Sequence, residues 1–323
     1  MADASPRASV VIPSYNHGKY IEEALASCLT TDLPVEVVVV DDGSTDDSVA
    51  RIESFGDSRI RLFPQANAGA HAALSRGVSL AKAPVIFILN SDDAFEAGRI
   101  DRLLALFDDD PDLALAASWL RIVDGDGETL GVKEGWRNME PWPKPRPGAS
   151  LADLGDPTLA LLETNYVATT SNAAFRRDLV SRRGLDFLPL RYAHDWDFLL
   201  GACHLGKMEV VEEPLVRYRV HGSNTISEGR DEGRGLMRFE ILWLLARHAR
   251  RVLRGISPEV ASADELETRL WRSLPRFGAE TLLLQLLALR GTTNSPPPAY
   301  DRLLDPNHPF RRAAVDLLAE LEP

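Results

Sequence analysis

The stretch Val35-Glu36-Val37-Val38-Val39-Val40-Asp41-Asp42-Gly43-Ser44 (VEVVVVDDGS) decides the architecture. Valine at all but one of its first six positions suits a strand covered on both faces, as in a sheet sandwiched between helices. The run stops on two carboxylates, a glycine and a hydroxyl, a turn-forming composition at a strand's carboxyl end. Working outward, Ser9–Ile12 (SVVI), Arg59–Phe63 (RIRLF) and Pro84–Leu89 (PVIFIL) are further strand candidates. Helical patterns fall between them, near Gly18–Leu29, Asp46–Phe55 and Ala70–Ala81. This alternation predicts an α/β fold with a mostly parallel sheet flanked by helices and joined by right-handed crossovers. Ligands of such sheets sit beyond the carboxyl ends of the strands.

Further along, Glu134–Gly148 (EGWRNMEPWPKPRPG) holds four prolines and two tryptophans and reads as an irregular loop. Asn172–Arg183 and Asp195–Leu205 read as helices, and Lys207–His221 reads as a strand. Beyond Ser227 the chain turns to Leu/Arg-rich helical segments, broken at Ser295–Ala299 (SPPPA). The expected division is a catalytic domain over 1–227 and a C-terminal helical region over 228–323.

Four polar clusters each close an apolar strand: Pro13-Ser14-Tyr15-Asn16, Asp41-Asp42-Gly43-Ser44, Asn90-Ser91-Asp92-Asp93 and His221-Gly222-Ser223-Asn224. Each alone is an ordinary turn or helix cap. Four at one edge of one sheet are harder to dismiss as ordinary turns and point to a site there.

The 323 residues carry 45% hydrophobic and 26% charged side chains, enough for a large packed core rather than disorder. A net charge of -12 excludes nucleic acid as the main partner, since phosphate binding needs a basic surface. Cys28 and Cys203 are far apart in sequence and both fall in predicted helices, so they read as free thiols. The opening MADASPRASVV lacks the pattern of a secretory signal, and no stretch reaches about 18 uninterrupted apolar residues. The expected location is the cytoplasm, with a peripheral position at the inner face of the membrane as an extension.

The pieces SVVIPSYNHGKYIEEAL, VVVVDDGSTDDS, NAGAHAALSRGVSLAKAPVIFILNSDD, SNAAFRRDLV, HDWDFLL and YRVHGSN, in that order from Ser9 to about Ser227, resemble a family 2 glycosyltransferase of the GT-A fold. The resemblance implies a Rossmann-like nucleotide-binding half over 1–125, an acceptor half over 126–227 and a C-terminal helical appendage. It implies an inverting enzyme that moves a sugar from a nucleotide-diphosphate sugar, UDP-linked in first place, to an acceptor hydroxyl.

Donor binding falls to Pro13, Tyr15, Asp41, Asn67, Gly69, Asp92 and Arg219 by the same resemblance. Asp41 would accept from the nucleobase, and an imide N–H of uracil or the N1–H of guanine fits a carboxylate. Tyr15 stacks on the base or serves packing. Ser75 stands where many relatives carry asparagine. A divalent cation, Mn²⁺ or Mg²⁺, would neutralise the leaving diphosphate on Asp93 and His221, with Asp92 on the cation or the ribose. Relatives often begin that acidic motif with aspartate, where this chain has Asn90. Strand alternation puts Arg217, Arg219 and His221 on one face, a candidate diphosphate cradle.

Single displacement needs one base to take the acceptor's proton. Asp195 matches that position, with helix N-cap as its other reading. His194 stands in place of the commoner glutamate, and Trp196 reads as core packing. Gly233–Arg254 sets six arginines against one glutamate. It reads as a helix packed on the catalytic domain or in a homodimer, with an anionic membrane as the competing partner. A glycan or lipid-linked acceptor is expected, in surface polysaccharide or glycoconjugate synthesis. Two other functions compete: a non-catalytic protein that kept the fold and binds carbohydrate or nucleotide-sugar, and a nucleotidyltransferase. The latter predicts a glycine-rich basic loop that Val11–Lys19 (VIPSYNHGK) does not supply.

Overall fold

The computed structural model describes residues 5–138, 150–222, 233–255 and 302–320, together with Ser262, Glu265 and Arg269; for 249–255 it describes the backbone. Ser223 and Asn224, most of the proline-rich loop, Ser295–Ala299 and the side chains of Arg250, Arg251 and Arg254 lie outside the described residues.

The expected alternation is present: β1 (Ala8–Ser14), α1 (Gly18–Cys28), β2 (Val35–Asp41), α2 (Ser48–Ser54), β3 (Ile60–Pro64), α3 (Ala70–Leu80) and β4 (Val85–Ile88). These strands lie parallel in the order β3-β2-β1-β4, and β2 is buried along its whole length, as its valines require. Its one internal charge, Glu36, is compensated by Ser9 Oγ at 2.6 Å, the Lys82 N–H at 2.6 Å and Arg61 Nη1 at 2.7 Å. Burial pushes the Glu36 carboxyl upward, but these donors outweigh it and hold its pKa below the ordinary value. Helix α3 comes so close to the sheet that a Cβ on Gly77 would meet Val11 Cγ1 at 2.3 Å.

Beyond β4 the chain adds β5 (Ala94–Phe95), α4 (Arg99–Asp109), β6 (Leu113–Val123), β7 (Thr129–Lys133), α5 (Pro157–Glu163), β8 (Ala174–Arg176), α6 (Asp178–Ser181), α7 (His194–Cys203), β9 (Lys207–Arg219), α8 (Arg234–Gly255) and α9 (Pro309–Glu320). The sheet continues β4-β8-β6-β9-β5, with β7 on β6. β6 and β9 run parallel, whereas β8, β7 and β5 enter antiparallel. The mostly parallel sheet flanked by helices is therefore present, with antiparallel members mixed into its second half.

One expectation is corrected. Asn172–Arg183 is not a continuous helix: a 3₁₀ turn (Thr170–Asn172) leads into β8, and only Asp178–Ser181 is helical. Phe175 pairs with Ile86 on one side and Leu115 on the other, so sheet pairing overrides the local helical pattern. Asn172 is occupied in that turn, its Oδ1 accepting from the Ser118 N–H at 2.9 Å.

The chain segregates into two compact units. The first comprises Met1–Lys144, Asn165–Leu188 and Gly201–His221; the second comprises Pro145–Thr164, Pro189–Leu200 and Gly222–Pro323. The second thus takes in α5 and most of α7, earlier in the chain than the expected boundary at 227. Within it, Phe239, Leu242, Trp243, Leu244 and Leu245 of α8 are buried, and α8 packs on α5 and α9. An apolar run spread around that much of a helix needs cover on several sides. The packed-helix reading of this segment holds within the chain itself.

Candidate functional site

β1 is flanked by β2 on one side and β4 on the other, so the strand order reverses at β1. In open α/β sheets the crevice at that reversal, beyond the carboxyl ends of the strands, is the ligand position. The loops after β1, β2 and β4 meet there.

Asn16 adopts a left-handed backbone, φ 54°, and crosses from the first loop to the second. Its N–H donates to Ser44 Oγ at 2.9 Å and its Oδ1 accepts from the Thr45 N–H at 2.7 Å. Asp41 is buried at the end of β2, and both its oxygens bond Ser44, through Oγ at 2.6 Å and N–H at 2.9 Å. Asp42 accepts from Gln65 Nε2 and from the N–H groups of Ala68 and Gly69. The second loop thereby holds the Asn67-Ala68-Gly69 turn. Asn67 is exposed there, and Gly69, at φ 92°, opens α3 in a conformation side-chain-bearing residues rarely adopt. Tyr15 is 46% exposed, Pro13 half-buried.

The acidic motif after β4 splits into two opposed carboxylates. Asp93 turns inward, its Oδ2 accepting from Ser171 Oγ at 2.5 Å and Thr169 Oγ1 at 3.3 Å, its Oδ1 from the Arg219 N–H at 2.8 Å. Burial first, and the adjacent Asp92 charge second, push its pKa well above the carboxylate range. Asp92 turns the other way. Its Oδ2 lies 3.1 Å from His221 Nε2 and 3.8 Å from His17 Nε2. His17 Nδ1 sits 2.8 Å from Ser91 Oγ, which leaves Nε2 as the nitrogen aimed at Asp92. Tyr20 stacks on His221 with ring centroids 5.3 Å apart. One carboxylate oxygen and two imidazole nitrogens thus lie within 4.8 Å of one another.

The remaining expected residues fall as follows. Asn90 faces the Thr169–Ser171 turn, donating from Nδ2 to Thr169 Oγ1 at 3.1 Å. Ser75 Oγ donates to Asp186, at 2.5 Å. Arg219 is buried, and its guanidinium reaches the Asp92 carbonyl, the Asp124 carbonyl and Glu23 Oε2. Arg217 meets the other Glu23 oxygen at 2.5 Å. In place of the expected open cradle, both arginines engage one carboxylate, and Arg219 braces the Asp92–Asp93 backbone. Asp195, in the second unit, is half-buried in the first turn of α7, with Oδ1 accepting from the Trp196 N–H at 2.7 Å. Trp196 is a core residue, its indole donating to the Leu161 carbonyl at 2.7 Å.

The sequence alone assigns no role to His17, Glu23, Ser171 or Thr169. His17 directly follows the first polar cluster, in Tyr15-Asn16-His17, and its position beyond a strand end was the available signal. Glu23 and Ser171 lie in the matching pieces SVVIPSYNHGKYIEEAL and SNAAFRRDLV, but only tertiary contact shows that Glu23 meets Arg219 and that Ser171 and Thr169 meet Asp93.

Several known proteins are similar to this chain. An uncharacterized glycosyltransferase of Nostoc sp. is 28% identical over 224 residues, 67% of this chain and 65% of the relative. Chondroitin synthase of Pasteurella multocida is 28% identical over 229 residues, 70% of this chain and 22% of that protein. The chain therefore spans just under two thirds of the former and about a fifth of the latter. Among solved structures, S. aureus TarS 1–349 in complex with UDP superposes with a TM-score of 0.60 at 19% identity, covering 97% of this chain and 83% of that one. The mannosyltransferase PcManGT of Pyrobaculum calidifontis in complex with GDP-Man and Mn²⁺ gives 0.56 at 19%, covering 98% and 86%. These likenesses establish the GT-A architecture. Residues 9–184, more than half of the chain, match the family described as glycosyl transferase family 2, and the chain belongs to that family.

Proposed function

We propose that this protein transfers a sugar from a nucleotide-diphosphate sugar, UDP-linked in first place, to a hydroxyl of a growing glycan or lipid-linked acceptor. The observation that carries the reading is the position of Asp92 between His17 and His221 at the reversal point of the sheet. The TarS neighbour's complex with UDP and the mannosyltransferase's with GDP-Man and Mn²⁺ support a nucleotide-sugar donor. The kinship with chondroitin and hyaluronan synthases of Pasteurella multocida supports a polysaccharide or glycoconjugate product.

A divalent cation fits the donor set. Asp92, His221 and His17 would hold it, whereas Asp93, with both oxygens engaged by Ser171, Thr169 and the Arg219 N–H, supports Asp92 from behind. Two imidazoles beside one carboxylate suit Mn²⁺ better than Mg²⁺, which prefers an all-oxygen shell. Bound there, the ion supplies charge neutralisation for the departing diphosphate. The chain's own residues do the rest. Arg219 fixes the Asp92 carbonyl, Asp41 would accept a nucleobase N–H, and Gly69 would let backbone approach the donor. Asp195 takes the proton of the acceptor hydroxyl as it attacks the anomeric carbon in a single inverting displacement.

Thermal-shift titration with UDP-glucose, UDP-GlcNAc and GDP-mannose, each with and without Mn²⁺, tests the reading. A matched donor raises the melting temperature by mass action, and Mn²⁺ enlarges the rise. A flat response to every nucleotide-sugar, together with no nucleoside diphosphate release, would leave the non-catalytic reading in its place.

A further inference from the structure

The turn that carries Asp195 is fixed from both sides by one helix. On its approach, Glu240 of α8 accepts three successive backbone N–H groups: Arg191 on Oε1 at 2.9 Å, Tyr192 and Ala193 on Oε2 at 2.8 and 3.3 Å. Glu240 is fully buried, and Arg311 of α9 lies 3.8 Å from its Oε1. On the far side, Asp197 is 2% exposed and meets His248 Nε2 of α8 at 2.7 Å, with Arg247 Nη1 3.5 Å from its other oxygen. His194 and Asp195 sit between these clamps, half-buried, while every anchoring carboxylate is buried.

Such an arrangement costs stability. Burying two carboxylates means desolvating both, and packed apolar side chains of similar volume would stabilise a helix contact as well or better. Nor does α7 need Glu240 for its start, since a serine or asparagine cap satisfies the orphan N–H groups of a helix end. A single buried acceptor receiving three consecutive N–H groups fixes where the backbone enters the helix. The imidazole on Asp197 fixes the rotation of the helix's first turn. Together they leave one position for the residue between them.

We propose that Glu240 and His248 are positioning residues for the transfer step, and that α8 is the frame holding Asp195 in its attack-competent place. This rests on the assignment of Asp195 as base. Helix α8 is then part of the apparatus that holds the base rather than an appendage. Proton abstraction tolerates little displacement, and about 1 Å of misplacement costs on the order of 100-fold in rate.

The test uses the full chain bearing Glu240→Gln or His248→Gln, each alone and each combined with Asp195→Asn. Glu240→Gln preserves shape while setting an amide N–H₂ against a backbone N–H; His248→Gln acts at the other clamp, and either suffices if the other fails to fold. UDP binding with Mn²⁺ by calorimetry, melting temperature, and turnover of UDP-GlcNAc, UDP-glucose or GDP-mannose are read for each. Turnover should fall about 100-fold, UDP affinity should stay within about two-fold, and either change should add less than about two-fold to Asp195→Asn. Wild-type turnover in both variants, loss of UDP affinity in step with turnover, or full additivity with Asp195→Asn overturns the inference. Normal turnover in Asp195→Asn alone overturns the base assignment itself, a result separable from the others.

Discussion

Nε2 of His221 lies 3.1 Å from Oδ2 of Asp92, while the neighbouring Asp93 faces the opposite way, onto Ser171 Oγ. Two adjacent carboxylates therefore have different work, and substitution separates them. Asp92→Ala removes the proposed oxygen ligand and should weaken Mn²⁺-dependent UDP binding by at least about 100-fold, with a smaller change in melting temperature than Asp93→Ala. Asp93→Ala strands the Arg219 N–H and two hydroxyls in a buried place, so its main effect should be instability of about 2–4 kcal/mol. Calorimetry with UDP and Mn²⁺, beside thermal melts, reads both. Equal loss of metal-dependent affinity in a fully stable Asp93→Ala protein would return the ion to Asp93.

His17 gives a prediction of its own. An imidazole in the donor set favours borderline cations over Mg²⁺. His17→Ala should narrow the preference for Mn²⁺ over Mg²⁺ by about ten-fold or more. Ser91→Ala, which frees His17 Nδ1, should narrow it less. Electron paramagnetic resonance of bound Mn²⁺, titrated against Mg²⁺, reports the preference without any turnover. An unchanged competition curve in His17→Ala would remove that ligand.

The parts legible in the sequence are those written in local pattern. Val35–Val40 declared a strand because five valines admit no polar face, and the three helices between the first four strands followed from the helical patterns between them. Long-range pairing was not legible. Phe175 belongs to a strand because Ile86 and Leu115 lie on either side, and nothing near Ser171-Asn172-Ala173 announces those neighbours. The site divided in the same way. Asp92, Asp93 and His221 stood out as polar residues ending strands, but which aspartate faces the imidazoles depends on Ser171 and Thr169, 76 or more residues away. Arg217 and Arg219 share a face as alternation predicts, and only the fold reveals that Glu23 of α1 engages both.

Stability at acid pH should depend on Glu36. Its pKa lies below the ordinary glutamate value of 4.5 because Ser9, the Lys82 N–H and Arg61 hold the ionised form against the effect of burial. A folded-state value below the unfolded one means the unfolded chain binds the proton more readily. Stability from Glu36 is then fully present above about pH 4.5 and drains away as pH falls through the lower folded value. Glu36→Gln should cost about 1–3 kcal/mol at neutral pH, and the gap from wild type should narrow as pH falls below the ordinary glutamate value of 4.5. Urea unfolding from pH 7 to pH 3 reads this, and a gap that stays constant across the range would deny Glu36 the ionised role.

The burial of the apolar side chains of α8 favours packing within the chain over contact with a membrane. Phe239, Leu242, Trp243, Leu244 and Leu245 would all have to face lipid for the helix to bind a bilayer as an amphipathic element, yet each is at most 3% exposed. Among the described residues no helix is long and apolar enough to cross a membrane. Trp243→Ala should therefore act on the fold, costing about 3–5 kcal/mol through a large cavity. It should leave sedimentation with anionic vesicles of phosphatidylglycerol and phosphatidylcholine at the wild-type level. A stable Trp243→Ala protein that loses vesicle binding would mean that α8 leaves its packed position to meet the bilayer.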